Sequence, residues 1–446
     1  MRSELLPLLK LAGPVVLAEI GWMGMGIVDT MMVGGLGPAA ISATGLGSGV
    51  FTAAAIFGMG LMLGLDALVS QAYGAGDREE CERWLHHGVL LSLVAGPVVM
   101  VLTWLAYLTL DRWGLHPDIL ALVKPYLLVI AVGAWPLLVY ASFRRYLQGM
   151  HIVRPIMYAL VSANLINAGA NWLLIYGNLG FPVLGVAGSA WATTVARVYM
   201  AAFLFVAIRR EHSRRADRHV RLVIEPARLR RLIALGSPAA ATITLEVGVF
   251  VAATALAGTL DPVSAGAHQI AVNLASLAFM VPLGLASSGA VRVGHACGAR
   301  DPRRAARAGW TALTTSSAIM LAIALVFFAW PVPLLRMFTE DPQVIEVGVR
   351  LLAIAAAFQL FDGAQVVTTG ILRGTGDTRT PMITNVAGHW VLGLPIGYAL
   401  CFVAGWGIAG LWVGLSVGLV FVSAVLTAAW WSKAQAMQNA EFRIQN

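Results

Sequence analysis

The chain has 446 residues, of which 59% are apolar and only 12% charged, with a mean hydropathy of +0.78. Soluble domains carry about a quarter charged residues, so the composition excludes a water-soluble globular protein and points to one that lives in lipid. The net charge of +8 would suit a nucleic-acid binder, but the basic residues sit in short loops between apolar stretches, which is a membrane-orientation pattern; no nucleic acid is expected.

Twelve apolar stretches follow one another, at about 11–33, 48–72, 87–110, 121–143, 155–176, 185–208, 232–258, 271–296, 309–332, 345–372, 381–402 and 406–430. Each is near the roughly 20 residues that span a bilayer as a helix. Lipid offers backbone groups no partners, so helices or closed barrels are the only solutions, and barrel strands would be about ten residues long with polar alternation. The expectation is an all-α membrane protein with twelve transmembrane helices. The first stretch follows Arg2 and Lys10 and carries Glu19 and Asp29; it reads as structure rather than a cleaved leader. The fifth holds Asn164, Asn167 and Asn171, spaced to share one helix face, which suits either a cavity lining or hydrogen bonds between helices. The sixth has a lone basic residue, Arg197, expected to pair with a carboxylate or to reach the inner interface.

Of the 30 lysines and arginines, 24 fall on alternate connections on one side, nine of them between Arg209 and Arg231. That side is cytoplasmic and holds both termini. Self-comparison then exposes a duplication. LAGP at Leu11–Pro14 returns as LGSP at Leu235–Pro238, and YGAGD at Tyr73–Asp77 as CGARD at Cys297–Asp301; LQG at Leu147–Gly149 returns as LRG at Leu372–Gly374, and GVAG at Gly185–Gly188 as GIAG at Gly407–Gly410. Six spans per half is an even number, so the halves enter the membrane in the same sense, as two six-helix lobes related by a parallel pseudo-two-fold repeat. The expected organisation is an N-terminal lobe at 1–208, an Arg-rich cytoplasmic linker at 209–231, a C-terminal lobe at 232–432 and a cytoplasmic tail at 433–446. Two lobes around a midplane cavity is a plan of secondary transporters.

Charged side chains deep in a span are costly and usually mark an ion or substrate route. At about 1.5 Å per residue, Glu246 stands about 22 Å from Arg231, Asp362 about 16 Å from Arg373 and Asp29 about 28 Å from Lys10, so all three acids lie near or beyond the midplane. Glu19 is expected to reach the inner interface, and Asp66, near the end of span 2, to be a packing or cap residue. Desolvation favours the neutral acid, so a buried carboxyl can exchange protons near neutral pH; a carboxylate cluster can instead hold Na⁺. Three scattered cysteines, Cys81, Cys297 and Cys401, supply neither a disulfide framework nor metal-ligand spacing. With no GxxxxGK[ST] phosphate loop, HExxH, GxSxG or CxxC motif, neither ATP as the energy source nor enzymatic activity is expected, and no resident cofactor.

Several blocks in one order resemble the multidrug and toxic compound extrusion (MATE) family, in its NorM-type branch, over about residues 5–430. They are IVDTMMVGGLG (Ile27–Gly37), VSQAYGAGD (Val69–Asp77), LEVGVF (Leu245–Phe250), GAHQIAVNLASLAFMVPLG (Gly266–Gly284), RVGHACGARD (Arg292–Asp301), FQLFDGAQVV (Phe358–Val367) and WVLGLPIGY (Trp390–Tyr398). The resemblance implies a monomeric, multi-pass exporter of the bacterial inner membrane that expels amphipathic, mostly cationic drugs or dyes in exchange for Na⁺ or H⁺. It maps the coupling-ion acids of the C-terminal lobe to Glu246 and Asp362, which would ligate the metal if the ion were Na⁺. It maps an N-lobe coupling position to Asp29 and an acid just before span 10 to Asp341. Some relatives have tyrosine where this chain has Phe358, which weakens the case for Na⁺. Gln269 and Asn273, like Asn164, Asn167, Asn171 and Phe358, are candidate cavity residues. A lipid-linked oligosaccharide flippase of the same superfamily is the alternative, but an anionic pyrophosphate headgroup calls for several cavity arginines, and Arg197 alone lies well inside a span.

Overall fold

The computed structural model of the protein describes residues 2–215 and 223–445, so residues 216–222 of the expected linker lie outside it. The described residues are helical with no strand. In chain order the helices are α1 (Arg2–Gly34), α2 (Pro38–Leu61), α3 (Gly64–Gly74), α4 (Arg78–Thr109), α5 (Pro117–Val132), α6 (Ala134–Gly149), α7 (Arg154–Tyr176), α8 (Val186–Arg215), α9 (Pro226–Ala257), α10 (Pro262–Gly298), α11 (Pro302–Ala329), α12 (Pro331–Arg336), α13 (Pro342–Gly374), α14 (Arg379–Asn385), α15 (Leu394–Tyr398) and α16 (Gly407–Gln445). Among the described residues eleven helical segments are long and apolar enough to cross a membrane, and α5 with α6, bent by 43°, pass the same test as a pair. The protein is thus an all-helical, multi-pass membrane protein.

The repeated motifs fall at matching places in the helices: LAGP and LGSP lie inside α1 and α9, LQG and LRG close α6 and α13, GVAG and GIAG open α8 and α16, and YGAGD and CGARD end in helix caps. Asp77 caps α4 by accepting the Glu80 N–H at 2.8 Å, and Asp301, 224 positions later, caps α11 by accepting the Arg304 N–H at 2.8 Å. The residue before each cap turns left-handed: Gly76 with φ +78° and Arg300 with φ +55°. The first copy uses glycine, which takes that conformation freely, while the second strains an arginine.

By contacts the chain forms two compact units: Leu17–Ala240, and the first half of α1 up to Val16 together with everything from Ala241 onward. In the first unit α2 to α8 pack with the opening half of α9, where a Cβ on Gly64 would lie 2.9 Å from the Leu232 carbonyl oxygen. In the second, α10 to α16 pack with the opening half of α1, where a Cβ on Gly284 would lie 3.0 Å from the Val16 nitrogen. Each opening half is also fastened by charge. Glu4 on α1 pairs with Arg292 on α10 and, at 3.4 Å, with Arg304 on α11; Arg228 on α9 pairs with Glu80 on α4. Glu4 and Arg228, like Glu80 and Arg304, are 224 positions apart, so the duplicated contact is kept with its charges exchanged.

Within the second unit the penultimate span is irregular. Residues Val386–Gly393 and Ala399–Val403 are π-helical, flanking α15, whose Pro395 has no N–H to give the ladder. This wide helix is held against α16 by glycines. Gly410, Gly414 and Gly418 form one stripe, and added Cβ atoms would meet backbone of Gly388, Gly393, Gly397 and Leu400, the small-residue packing that lets membrane helices approach closely.

Glu19 does not reach the interface as expected. It forms a buried ion pair with Arg144 on α6, the two side chains being 11% and 7% exposed. Asp66, in the first turn of α3, lies 3.5 Å from Arg145.

Removing one partner of a buried pair strands the other, at a cost of about 3–5 kcal/mol. Glu19→Gln is therefore expected to lower the thermal stability of the purified protein sharply, and Arg144→Met on top of it to restore part of the loss. Gly414→Leu is expected to abolish the monodisperse peak in size-exclusion chromatography, whereas Gly169→Ala, whose Cβ would meet nothing within 4 Å, should leave it intact.

Candidate functional site

Polar side chains meet at one centre in each unit. In the second unit α9 supplies Glu246 and α13 supplies Phe358, Gln359, Asp362 and Gln365. Spacings of three and four along α13 place Phe358, Asp362 and Gln365 on neighbouring positions of one face. Gln365 is 1% exposed, and its Nε2 donates to Glu246 Oε1 at 2.7 Å. Asp362 is 8% exposed, and its carboxyl interacts with both Glu246 and Gln365. Among the described residues no lysine, arginine or histidine forms an ion pair with either acid, in contrast to Glu4, Glu19 and Asp66. Among the described residues the Gln365 carbonyl oxygen and both amide atoms of Gln359 are buried without a hydrogen-bond partner.

The surroundings hold this pair in place. Trp390, in the π-helical segment, donates from Nε1 to the Leu245 carbonyl at 3.0 Å, beside Glu246. Phe358 packs on Trp412 of α16 with ring centroids 5.9 Å apart. Trp412 Nε1 donates to His268 Nδ1 at 2.9 Å, and His268 Nε2 lies 3.0 Å from Thr254 Oγ1, whose hydroxyl donates to the Phe250 carbonyl at 2.9 Å. Indole N–H is only a donor, so Nδ1 accepts, Nε2 carries the hydrogen, and His268 is a fully bonded neutral strut linking α9, α10 and α16.

In the first unit Asp29, 7% exposed on α1, accepts from Asn171 Nδ2 at 2.6 Å and from Thr193 Oγ1 of α8 at 2.8 Å, with Asn167 also in reach. Asn171 bonds Asn167 Oδ1 at 3.3 Å. Arg197 interacts electrostatically with Asp29 and lies over the Phe51 ring, 4.4 Å from its centroid. The break at Gly133 makes room for it, since a Cβ there would stand 2.8 Å from Arg197 Nη1. Among the described residues Arg197 Nη1 and Asn171 Oδ1 are buried with no hydrogen-bond partner.

The remaining candidates scatter. Asn164, one turn from Asn167, donates to the Gly21 carbonyl of α1 at 3.0 Å and works as an interhelical tie. Gln269 and Asn273 are exposed and bond each other at 3.4 Å. Asp341 is an exposed cap of α13, accepting the Gln343 N–H at 2.9 Å, and stands about 31 Å along the helix from Asp362 at 1.5 Å per residue. Three residues of the centres, Gln359, Gln365 and Thr193, are not marked out by charge in the sequence; only the spacing of three residues on either side of Asp362 points to the two glutamines.

Chemically, each centre offers carboxyl and amide groups in a dry helical interior. The C-terminal one has acids without a fixed counter-charge, the N-terminal one an acid shared among amides, a hydroxyl and an arginine. The sequence signature of the MatE family matches residues 14–173 and 238–399. A protein named "Probable multidrug resistance protein NorM" from Mesorhizobium japonicum is 35% identical over 96% of this chain and 94% of its own length. One with the same name from Bradyrhizobium diazoefficiens is 32% identical over 96% of this chain and 93% of its own. The crystal structure of a eukaryotic MATE transporter, 21% identical and covering 98% of this chain and 99% of its own, shares the fold with a TM-score of 0.86. With its family signature falling once on each half and relatives matched nearly end to end, the chain belongs to the MatE family of transporters.

Proposed function

We propose that the protein is a secondary multidrug exporter, which exchanges amphipathic, mostly cationic compounds for a monovalent cation, Na⁺ or H⁺, by alternating access. The observation that carries this reading is the acid pair Glu246–Asp362, held by an amide and not neutralised by any described basic residue. An unneutralised acid in hydrocarbon persists where it has a task. A cationic drug and a coupling cation that both require these acids exclude one another, so loading one promotes release of the other, and linkage makes the effect reciprocal. Asp29 with Asn167, Asn171 and Thr193 is a second position suited to a small cation. The family membership and the NorM-named relatives support export of small molecules.

The excess of arginine on one set of loops supports cytoplasmic termini in a bacterial inner membrane, and nothing in the reading requires a second copy of the chain. Arg197 is a single arginine buried beside Asp29 and over the Phe51 ring, where a pyrophosphate headgroup calls for several, which argues against the flippase alternative.

Efflux of ethidium from cells expressing the protein tests the reading. Glu246→Gln and Asp362→Asn are each expected to abolish efflux while the purified variants keep the wild-type melting temperature, unlike Glu19→Gln; efflux by both variants at the wild-type rate would contradict it. Asp29→Asn and Thr193→Val, each disturbing a hydrogen bond to a charged group, are expected to slow efflux about tenfold or more without loss of folded protein.

A further inference from the structure

The WVLGLPIGY block (Trp390–Tyr398) carries no acid, yet its first residue reaches the turn of α9 that bears Glu246. Trp390 Nε1 donates to the Leu245 carbonyl at 3.0 Å, in the peptide group immediately before Glu246. Three residues on, Gly248 lies on the same face of α9, and a Cβ there would stand 3.2 Å from Trp390 Cζ2. The indole thus spans one turn of α9, bonded at 245 and closely approached at 248.

Its own mount is stiff. Trp390 sits in the π-helical segment Val386–Gly393, a geometry that is rare and frequently found at functional sites. Gly388 and Gly393, on either side of it, both lie against Gly418 of α16, where a Cβ would meet the Gly388 carbonyl oxygen at 2.5 Å and the Gly393 Cα at 3.1 Å. Trp390 is at an exposed position near the middle of its span, where lipid offers its N–H no competing acceptor. The turn of α9 is therefore gripped twice: on its backbone by Trp390, and on the Glu246 carboxyl by Gln365 of α13 at 2.7 Å. Without the first grip, α9 is free to turn or slide at the level of the acid.

We propose that Trp390 is a positioning residue for the acid pair: through the Leu245 carbonyl it sets where Glu246 stands relative to Asp362, and so how well the pair receives the cationic substrate. This rests on the reading that the pair is the coupling site, and adds to it a residue from a third span. An arrangement fixed in advance binds more tightly than one that must be assembled on binding.

The test is ethidium transport in proteoliposomes of the full-length protein, at one pH and with ΔpH and ΔNa⁺ imposed together, read as KM and kcat. Trp390→Phe keeps an aromatic ring and removes the N–H. It is expected to raise KM about two- to tenfold, the range of one net hydrogen bond, and to leave kcat near the wild-type value. Gly248→Ala crowds the indole and is expected to raise KM as well, while the double variant goes no further than the larger single one, because both act through one contact. Wild-type KM in both single variants, a fall in kcat alone, or shifts that add in the double variant overturn the role of Trp390. If Trp390→Phe is not recovered as monodisperse protein, Gly248→Ala decides by the same criterion. Glu246→Gln and Asp362→Asn are run in parallel: if both transport as wild type, the coupling-site reading fails and this inference with it. If both are inactive while Trp390→Phe and Gly248→Ala keep the wild-type KM, Trp390 alone is refuted.

Discussion

A charge in a hydrocarbon interior must be paired, spread over hydrogen bonds or put to use, and the structure is organised by how each acid meets that demand. Glu19 and Asp66 are met by arginines. Asp29 is met by amides, a hydroxyl and the more distant charge of Arg197. Among the described residues Glu246 and Asp362 have Gln365 between them and no basic partner. Breaking a buried pair is costly whichever partner is removed, so the first group is fixed in place. On the function proposed above, the last group gains and loses a small positive ion without stranding a counter-charge.

The duplication supplies the frame. One of its repeated motifs caps α4 and α11, and its opening helices α1 and α9 are fastened at positions 224 residues apart, with acid and base exchanged. Exchange of sign preserves the attraction while the side chains diverge, which is why this correspondence is invisible to a search for identical residues. Glycine does the complementary work where no charge is involved: the stripe on α16 seats the π-helical segment, and Gly248 on α9, where a Cβ would stand 3.2 Å from the Trp390 ring, leaves room for Trp390 to reach the backbone beside Glu246.

Much of this was legible in the sequence. Twelve apolar stretches gave the helices, and the depth of Glu246, Asp362 and Asp29 along their spans singled out the acids that the structure surrounds with amides and hydroxyls. What escaped was whatever depends on partners remote in the chain. Glu19 and Arg144 are 125 positions apart, and nothing local says that one will neutralise the other. The three asparagines of α7 share a face, yet one turn of helix separates an interhelical tie at Asn164 from an acid's partners at Asn167 and Asn171. Asp341 and Asp362 lie on one helix, but about 21 residues of rise keep them far apart. The bend at Gly133 and the π-helical turns around Pro395 are packing outcomes, signalled by single residues whose effect depends on the neighbouring helix.

The claim at the centre is that a bulky cation and a small one compete for the same unneutralised acids. Equilibrium binding of ethidium to the detergent-purified protein, with proton release followed in buffers of different ionisation enthalpy and repeated across Na⁺ concentrations, addresses it most directly. The account predicts that the dye displaces the small cation: binding weakens as that ion's activity rises, and the displacement is lost when Glu246 and Asp362 are both replaced by amides. Dye affinity indifferent to both pH and Na⁺, with no ion released, would contradict it.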